Sequence, residues 1–318
     1  MARTNRIKAE GDAFYHVTSR ITGKRFLLQK PTLKAKMLDI LERSARFSGI
    51  NIGAFCIMDD HFHLLFEVPA VDPGTLPESE ILDRIEILRG KKEADRIHDR
   101  WEALRERGDS LLAEAAMDRY RRRMYDISQF MKTFLEYFGR AFRAENEHAG
   151  RLWGDRYFST LVESAEYLSR CAAYVELNPV RAGMTTRATD YAWNTSGLAE
   201  RGNVYAISCR RWLAALAGVT GGISTRGDSH FGNDCEEGDS HLGKELAGGD
   251  GHLVEAWMMK RQPQLSKGKL LGSYEFVNKA AGVYANALGS VRAWAHEVEG
   301  AFFASHGYRL AMKTRQAA

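Results

Sequence analysis

The chain is 318 residues long, 44% apolar and 27% charged, which suits one large domain or two modest ones. No apolar run approaches the roughly 20 residues of a membrane-spanning helix, which excludes that class, and the polar opening Met1-Ala2-Arg3-Thr4-Asn5-Arg6 lacks an apolar signal core, so a cytoplasmic protein is expected. Four scattered cysteines (Cys56, Cys171, Cys209, Cys235) exclude a knuckle-type zinc site and a disulfide scaffold.

Net charge is only +4, but it is unevenly spread. Residues 1–46 hold eleven Lys/Arg against four acids, and residues 228–255 hold eight acids against Lys244 alone. A basic N-terminal third invites a polyanion; a merely solvated basic face would look the same.

In chain order, Phe14–Ser19 is short, aromatic and β-branched, and predicts a strand. Pro31 opens a helix with Leu33, Met37, Leu38, Leu41 and Ala45 at helical spacing, stopped by Gly49. Ile50–Met58 and His61–Val68 are two strand-like runs that the Asp59-Asp60 turn joins into a hairpin. Residues 73–126 mix acids and bases densely and predict a solvated helical insertion, an antiparallel pair. Ile127, Phe130, Met131, Phe134, Phe138 and Phe142 then share one face of a helix that must pack on the sheet. Tyr157–Val162 predicts a fourth strand, Ala165–Leu177 a helix ended by Asn178-Pro179, and Arg210–Ala217 another helix. Residues 218–251 hold ten glycines in 34 residues, a composition that buries too little to order itself.

The expected fold class is α+β: an antiparallel sheet of four or five strands packed by helices, with the insertion and a C-terminal extension. The expected units are residues 1–200, a flexible Gly-rich acidic linker over 201–252, and a small helical region over 253–318.

The sharpest chemical feature is His61-Phe62-His63 on a predicted strand. Alternation points both imidazoles to one face and Phe62 to the other. Two side-by-side imidazoles suit a divalent metal with open positions; they also suit an ordinary polar strand face.

The motifs Phe14-Tyr15-His16-Val17-Thr18-Ser19-Arg20 and Ile57-Met58-Asp59-Asp60-His61-Phe62-His63-Leu64-Leu65 resemble those of the HUH single-tyrosine transposases of the insertion-sequence-200 type. With Leu152-Trp153-x-x-Arg156-Tyr157, the run Tyr174 to Gly183 and Tyr191-Ala192-Trp193, the chain is most similar to the REP-associated tyrosine transposases over residues 1–200. The resemblance implies a ferredoxin-like sheet and metal-assisted cleavage and rejoining of single-stranded or hairpin DNA through a phosphotyrosine, in DNA transposition. It implies His61 and His63 as ligands of Mg²⁺ or Mn²⁺, and either a monomer or a homodimer.

The resemblance also implies a tyrosine, with an amide about one turn later as a third ligand. Placed on the helix after the insertion, that tyrosine falls at Phe138, beside Tyr137. Tyr137 is the candidate nucleophile, with Tyr125 next, yet Ala141, Phe142 and Arg143 stand where the amide belongs. Asn146 is the nearest amide, and Glu136 an acid that could complete the shell. Arg156 and Arg181 are expected on phosphates, as guanidinium forks suit them. Arg20, Lys24 and Arg25, with Lys8, extend that groove, with Tyr15 and Phe26 for base stacking. Two alternatives stand beside the transposase: a catalytically silent DNA-hairpin-binding descendant and, with weaker support, a zinc hydrolase using His61 and His63.

Overall fold

The computed structural model describes residues 7–146, 150–163, 166–216, 268–283, 295–298 and 301–305. Strand β1 (Ala13–Arg20) pairs antiparallel with β3 (His61–Val68) on one side and with β4 (Phe158–Val162) on the other. β3 forms the expected hairpin with β2 (Asn51–Ile57), giving the order β2-β3-β1-β4. Two helices make the crossovers: α1 (Pro31–Ser48) between β1 and β2, and α5 (Ile127–Glu145) between β3 and β4. This is the ferredoxin-like plan.

Strand alternation sets the two faces of the sheet. Tyr15, Val17, Phe62, Leu64, Phe66 and Leu161 face α1 and α5 in one cluster with Phe130, Phe134 and Phe138. Phe62 meets Phe134 edge-on at 5.4 Å, and Phe66 meets Phe130 at 5.2 Å, so the phenylalanine stripe seats on the sheet. The opposite face carries Cys56, Leu65 and Val162 and is covered by α6 (Glu166–Glu176) and α9 (Val204–Leu216). Between those helices lie the short α7 (Asn178–Arg181) and α8 (Thr195–Glu200).

The insertion is three helices, not the expected pair: α2 (Glu78–Arg89), α3 (Lys91–Glu106) and α4 (Ser110–Arg121). They share a small core of Ile81, Ile85, Leu88, Ile97, Trp101 and Met117 closed onto Phe47 of α1.

Two sequence expectations change. Among the described residues the sheet has seven strands and is mixed, because β5 (Gly268–Gly272) adds parallel to β4, and β7 (Ala301–Ser305) and β6 (Ala295–Val298) follow antiparallel. The described residues of the C-terminal region therefore supply three strands and one helix, α10 (Tyr274–Val283), where helices alone were expected. Leu270 and Leu271 are buried against the sheet, which explains the strand. The expected linker begins with ordered helix α9; residues 217–252 lie outside the described residues. No helix among the described residues is long and apolar enough to cross a membrane.

Candidate metal and tyrosine site

His61 and His63 emerge from β3 on the face opposite Phe62, as alternation requires. His63 is 6% exposed and lies opposite Thr18 of β1, while His61 lies opposite Arg20. Their rings are 5.1 Å apart, edge to face.

Each ring has one nitrogen already engaged. His61 Nδ1 bonds the carboxylate of Asp60. His63 Nδ1 lies 3.0 Å from Nε2 of His16, a fully buried histidine of β1 whose ring stacks on it. Anchoring Nδ1 in this way fixes ring orientation and leaves both Nε2 atoms for a shared ligand, the arrangement usual for metal-binding histidines. Burial first, then the facing His61, His16, Arg181 and Arg20, hold the His63 ring well below the ordinary histidine range. It is neutral near pH 7, with a lone pair to offer. Burial raises the Asp60 carboxyl, but His61 and Arg20 outweigh it and leave it below the usual carboxylate range.

The turn that carries Asp60 is tied down from several sides. Ile21 N–H donates to Asp60 O at 2.8 Å, Leu28 N–H to Asp59 O at 2.9 Å, and Met58 N–H to His61 O at 2.8 Å. Lys34 of α1, only 3% exposed, donates to Asp59 Oδ1 at 2.6 Å and to the Tyr191 hydroxyl at 2.7 Å. That hydroxyl donates onward to Ile57 O at 2.8 Å. Lys34 has no chemical signature in the sequence, and its position on the sheet-facing side of α1 was its only signal.

The structure does not bring Tyr137 to the histidines. α5 covers the Phe62 face, so the sheet lies between them; Tyr137 packs against the main core and the insertion core, with Arg140 over its ring. Phe138 is fully buried against Phe142 and Trp153. Trp153 itself packs on the core, edge-on to Phe62, with its indole N–H donating to Leu135 O. Tyr125 is held by Arg84, which donates to its hydroxyl at 2.6 Å.

A different tyrosine meets the pair. Tyr174 of α6 sets its ring edge against His16 at 5.7 Å and His63 at 5.8 Å, and Arg181 lies 4.4 Å above the ring. One turn later, Asn178 donates its amide to Tyr174 O at 2.9 Å and Val175 O at 3.2 Å, which leaves its Oδ1 to face elsewhere. A tyrosine with an amide one turn on, absent from α5, is thus present at Tyr174 and Asn178. Its signal was in the sequence, at Tyr174 and Asn178 in one of the motifs quoted above.

Of the expected phosphate contacts, Arg181 and Arg20 reach the site. Arg181 Nη1 is buried without a hydrogen-bond partner among the described residues, and Arg20 Nε lies 3.6 Å from Asp60. Lys24, Arg25 and Arg156 are exposed on the adjoining loops, which touch where Gly154 N–H donates to Arg20 O. Phe26 beside them is 63% exposed. Tyr15, by contrast, is buried with its hydroxyl bonded to Ala9 N–H, so it offers no face to a base. Lys8 is tied to Asp126 at the start of α5.

Glu78, His98 and Glu102 also cluster, on the insertion, but Arg105 already bonds both glutamates and neutralises them.

A search of curated proteins finds no match. One solved structure, of a REP-associated tyrosine transposase bound to a REP hairpin, is similar at 15% identity and a TM-score of 0.40, over 64% of this chain and 87% of that one. The family model "Transposase IS200 like" matches residues 11–107, a span that includes the histidine pair and neither tyrosine. Over residues 11–107 the chain is similar to the IS200-like transposases.

Proposed function

We propose that the protein cleaves and rejoins single-stranded DNA, free or flanking a hairpin, with Tyr174 as the nucleophile. The observation that carries this is the packing of the Tyr174 ring against both His16 and His63. The phenolic oxygen attacks the scissile phosphorus and the P–O3′ bond breaks. The departing 3′ oxygen ends as a hydroxyl, the phenol's proton passing to it through solvent. The 5′-phosphotyrosine keeps the bond energy for attack by another 3′-hydroxyl, which is DNA strand transfer.

The donor set fits a divalent ion. His61 and His63 through Nε2, with Asn178 through Oδ1, would hold Mg²⁺ or Mn²⁺. When bound, such an ion polarises the scissile phosphate and offsets the charge that develops on it. Arg181, with a buried unpaired nitrogen, holds a phosphate oxygen beside Tyr174. Arg20, Lys24, Arg25 and Arg156 guide the backbone in, and Phe26 offers a base a stacking face.

One observation favours the silent DNA-binding descendant: Tyr174 is only 4% exposed. The deciding assay incubates the chain with single-stranded DNA and Mn²⁺ and looks for a covalent adduct on a denaturing gel. Tyr174→Phe should abolish the adduct and Tyr137→Phe should keep it. The reverse pattern would sink the assignment, and a wild type that binds DNA without any adduct would establish the silent binder.

A further inference from the structure

The insertion's arginines follow a rule with one exception. Among those that are not fully exposed, Arg84, Arg89, Arg105 and Arg121 each close on a carboxylate: Glu80 at 2.7 Å, Glu93 at 3.6 Å, Glu78, and Asp118 at 3.0 Å. Arg123 makes no ion pair with any described residue. Its guanidinium lies 5.2 Å over the Phe47 ring and donates to Thr133 Oγ1 of α5 at 3.0 Å. Burial first, then the facing Arg89, hold it below the ordinary arginine range, while Glu136, exposed one turn along α5, is too far to pair with it. Held by a ring face and a hydroxyl, this guanidinium keeps a positive charge that no described carboxylate offsets, and its fork suits an anion.

The surroundings say which kind. Arg89 sits 5.6 Å over the Tyr120 ring, and Tyr120 and Tyr137 both pack against the insertion core. The run Arg119-Tyr120-Arg121-Arg122-Arg123 carries the charge onward through exposed Arg119 and Arg122. A cationic track with ring faces matches a strand of linked phosphates better than a single small anion.

We propose that Arg89 and Arg123, framed by Tyr120 and Tyr137, form a second DNA-binding surface that grips backbone phosphate on the side of the sheet away from the histidines. The proposal rests on the DNA-processing reading above and gives Tyr137 a role apart from the chemistry.

The test measures affinity of the full chain for single-stranded DNA of about 6 and about 30 nucleotides across a salt series. On the long strand, Arg89→Gln with Arg123→Gln should flatten the slope of log affinity against log salt by about 0.7 for each phosphate that is no longer held. The short strand, seated at the histidines, should be unaffected, and the paired lysine variants should restore the slope. If the double glutamine variant folds poorly, Arg89→Gln alone carries the same test, since its side chain is already 28% exposed. An unchanged slope on the long strand, or an equal loss on both lengths, overturns the proposal. A wild type that binds the long strand in this way but forms no tyrosine adduct supports the second surface and overturns only the cleavage reading.

Discussion

Lys34 offers the cleanest test of how the histidine turn is held. Its ammonium is buried with 4% of the side chain exposed, and it closes on Asp59, 21% exposed, and the Tyr191 hydroxyl. Replacing it with methionine keeps the length of the stem and removes the charge, stranding a largely buried carboxylate. Breaking a buried pair from one side costs roughly 3–5 kcal/mol, and partial exposure of Asp59 points to the lower end, about 3 kcal/mol. For a domain of this size that is a fall in Tm of roughly 6–12 °C. The double variant Lys34→Met/Asp59→Asn removes both charges and should recover most of the loss, giving a coupling of about 2 kcal/mol in the cycle. Because Asp59 adjoins Asp60, the partner of His61, Lys34→Met should also weaken Mn²⁺ binding by roughly 10- to 100-fold, as removal of a supporting group behind a ligand commonly does. Thermal melts and Mn²⁺ titration read the two effects separately. If the single variant costs under about 1 kcal/mol, or the two substitutions simply add, the pair does not hold the turn.

Two further outcomes follow from buried positions on the same side of the sheet. A methyl group on Gly197 would overlap the backbone carbonyl of Tyr191, which cannot move without shifting the loop that supplies that hydroxyl; Gly197→Ala should therefore lower Tm by at least about 6 °C, roughly 3 kcal/mol at the upper end of overpacking costs, and a Tm near wild type would refute the fit. Glu176 is raised above the usual carboxyl range by burial, which its bond from Ser196 and the nearby Arg210 only partly offset. The folded state thus keeps this proton longer than the unfolded chain, so the stability it gives is full below the unfolded value and is lost as pH rises through the folded one. Glu176→Gln should remove that loss and flatten stability against pH above about 4.5; a difference between the two proteins that does not change with pH would contradict it.

How much of this was legible in the sequence depends on what each pattern encodes. Period-two alternation put His61 and His63 together and sent Phe62 to the core, and the structure keeps both. The phenylalanine stripe of α5 fixed that helix as amphipathic, but a stripe does not say which face of a sheet it covers. That choice depends on the handed path from β3 to β4, and it placed Tyr137 and the histidines on opposite sides. α6 has a weaker stripe, and Tyr174 reads in sequence as one more apolar aromatic before a helix stop. Asn178 one turn later is the one mark it carries in the sequence, and its position against His16 and His63 gives that mark its meaning. Strand β5 was hidden for another reason: five residues, Gly268 to Gly272, are too few to show a period, and they become a strand only because β4 leaves an edge to pair with.

The two faces of the sheet therefore divide the labour. The Phe62 face is closed by α1 and α5 with large aromatic rings, a packing that leaves no room for a phosphate and no reason to keep a phenol reactive. The other face is closed by short helices and loops that leave polar groups under it: His16, Asn178, Asn194, Thr195 and Ser196 are all buried there. Buried polar groups cost stability unless they are bonded, and among the described residues Arg181 Nη1, beside the Tyr174 ring, is buried without a hydrogen-bond partner. The Arg181 guanidinium comes from the end of α7 and lies over Tyr174, whose ring meets His16 and His63. A buried guanidinium nitrogen left unpaired is costly to maintain in a resting fold, and on the function proposed above a backbone phosphate is the group that would satisfy it.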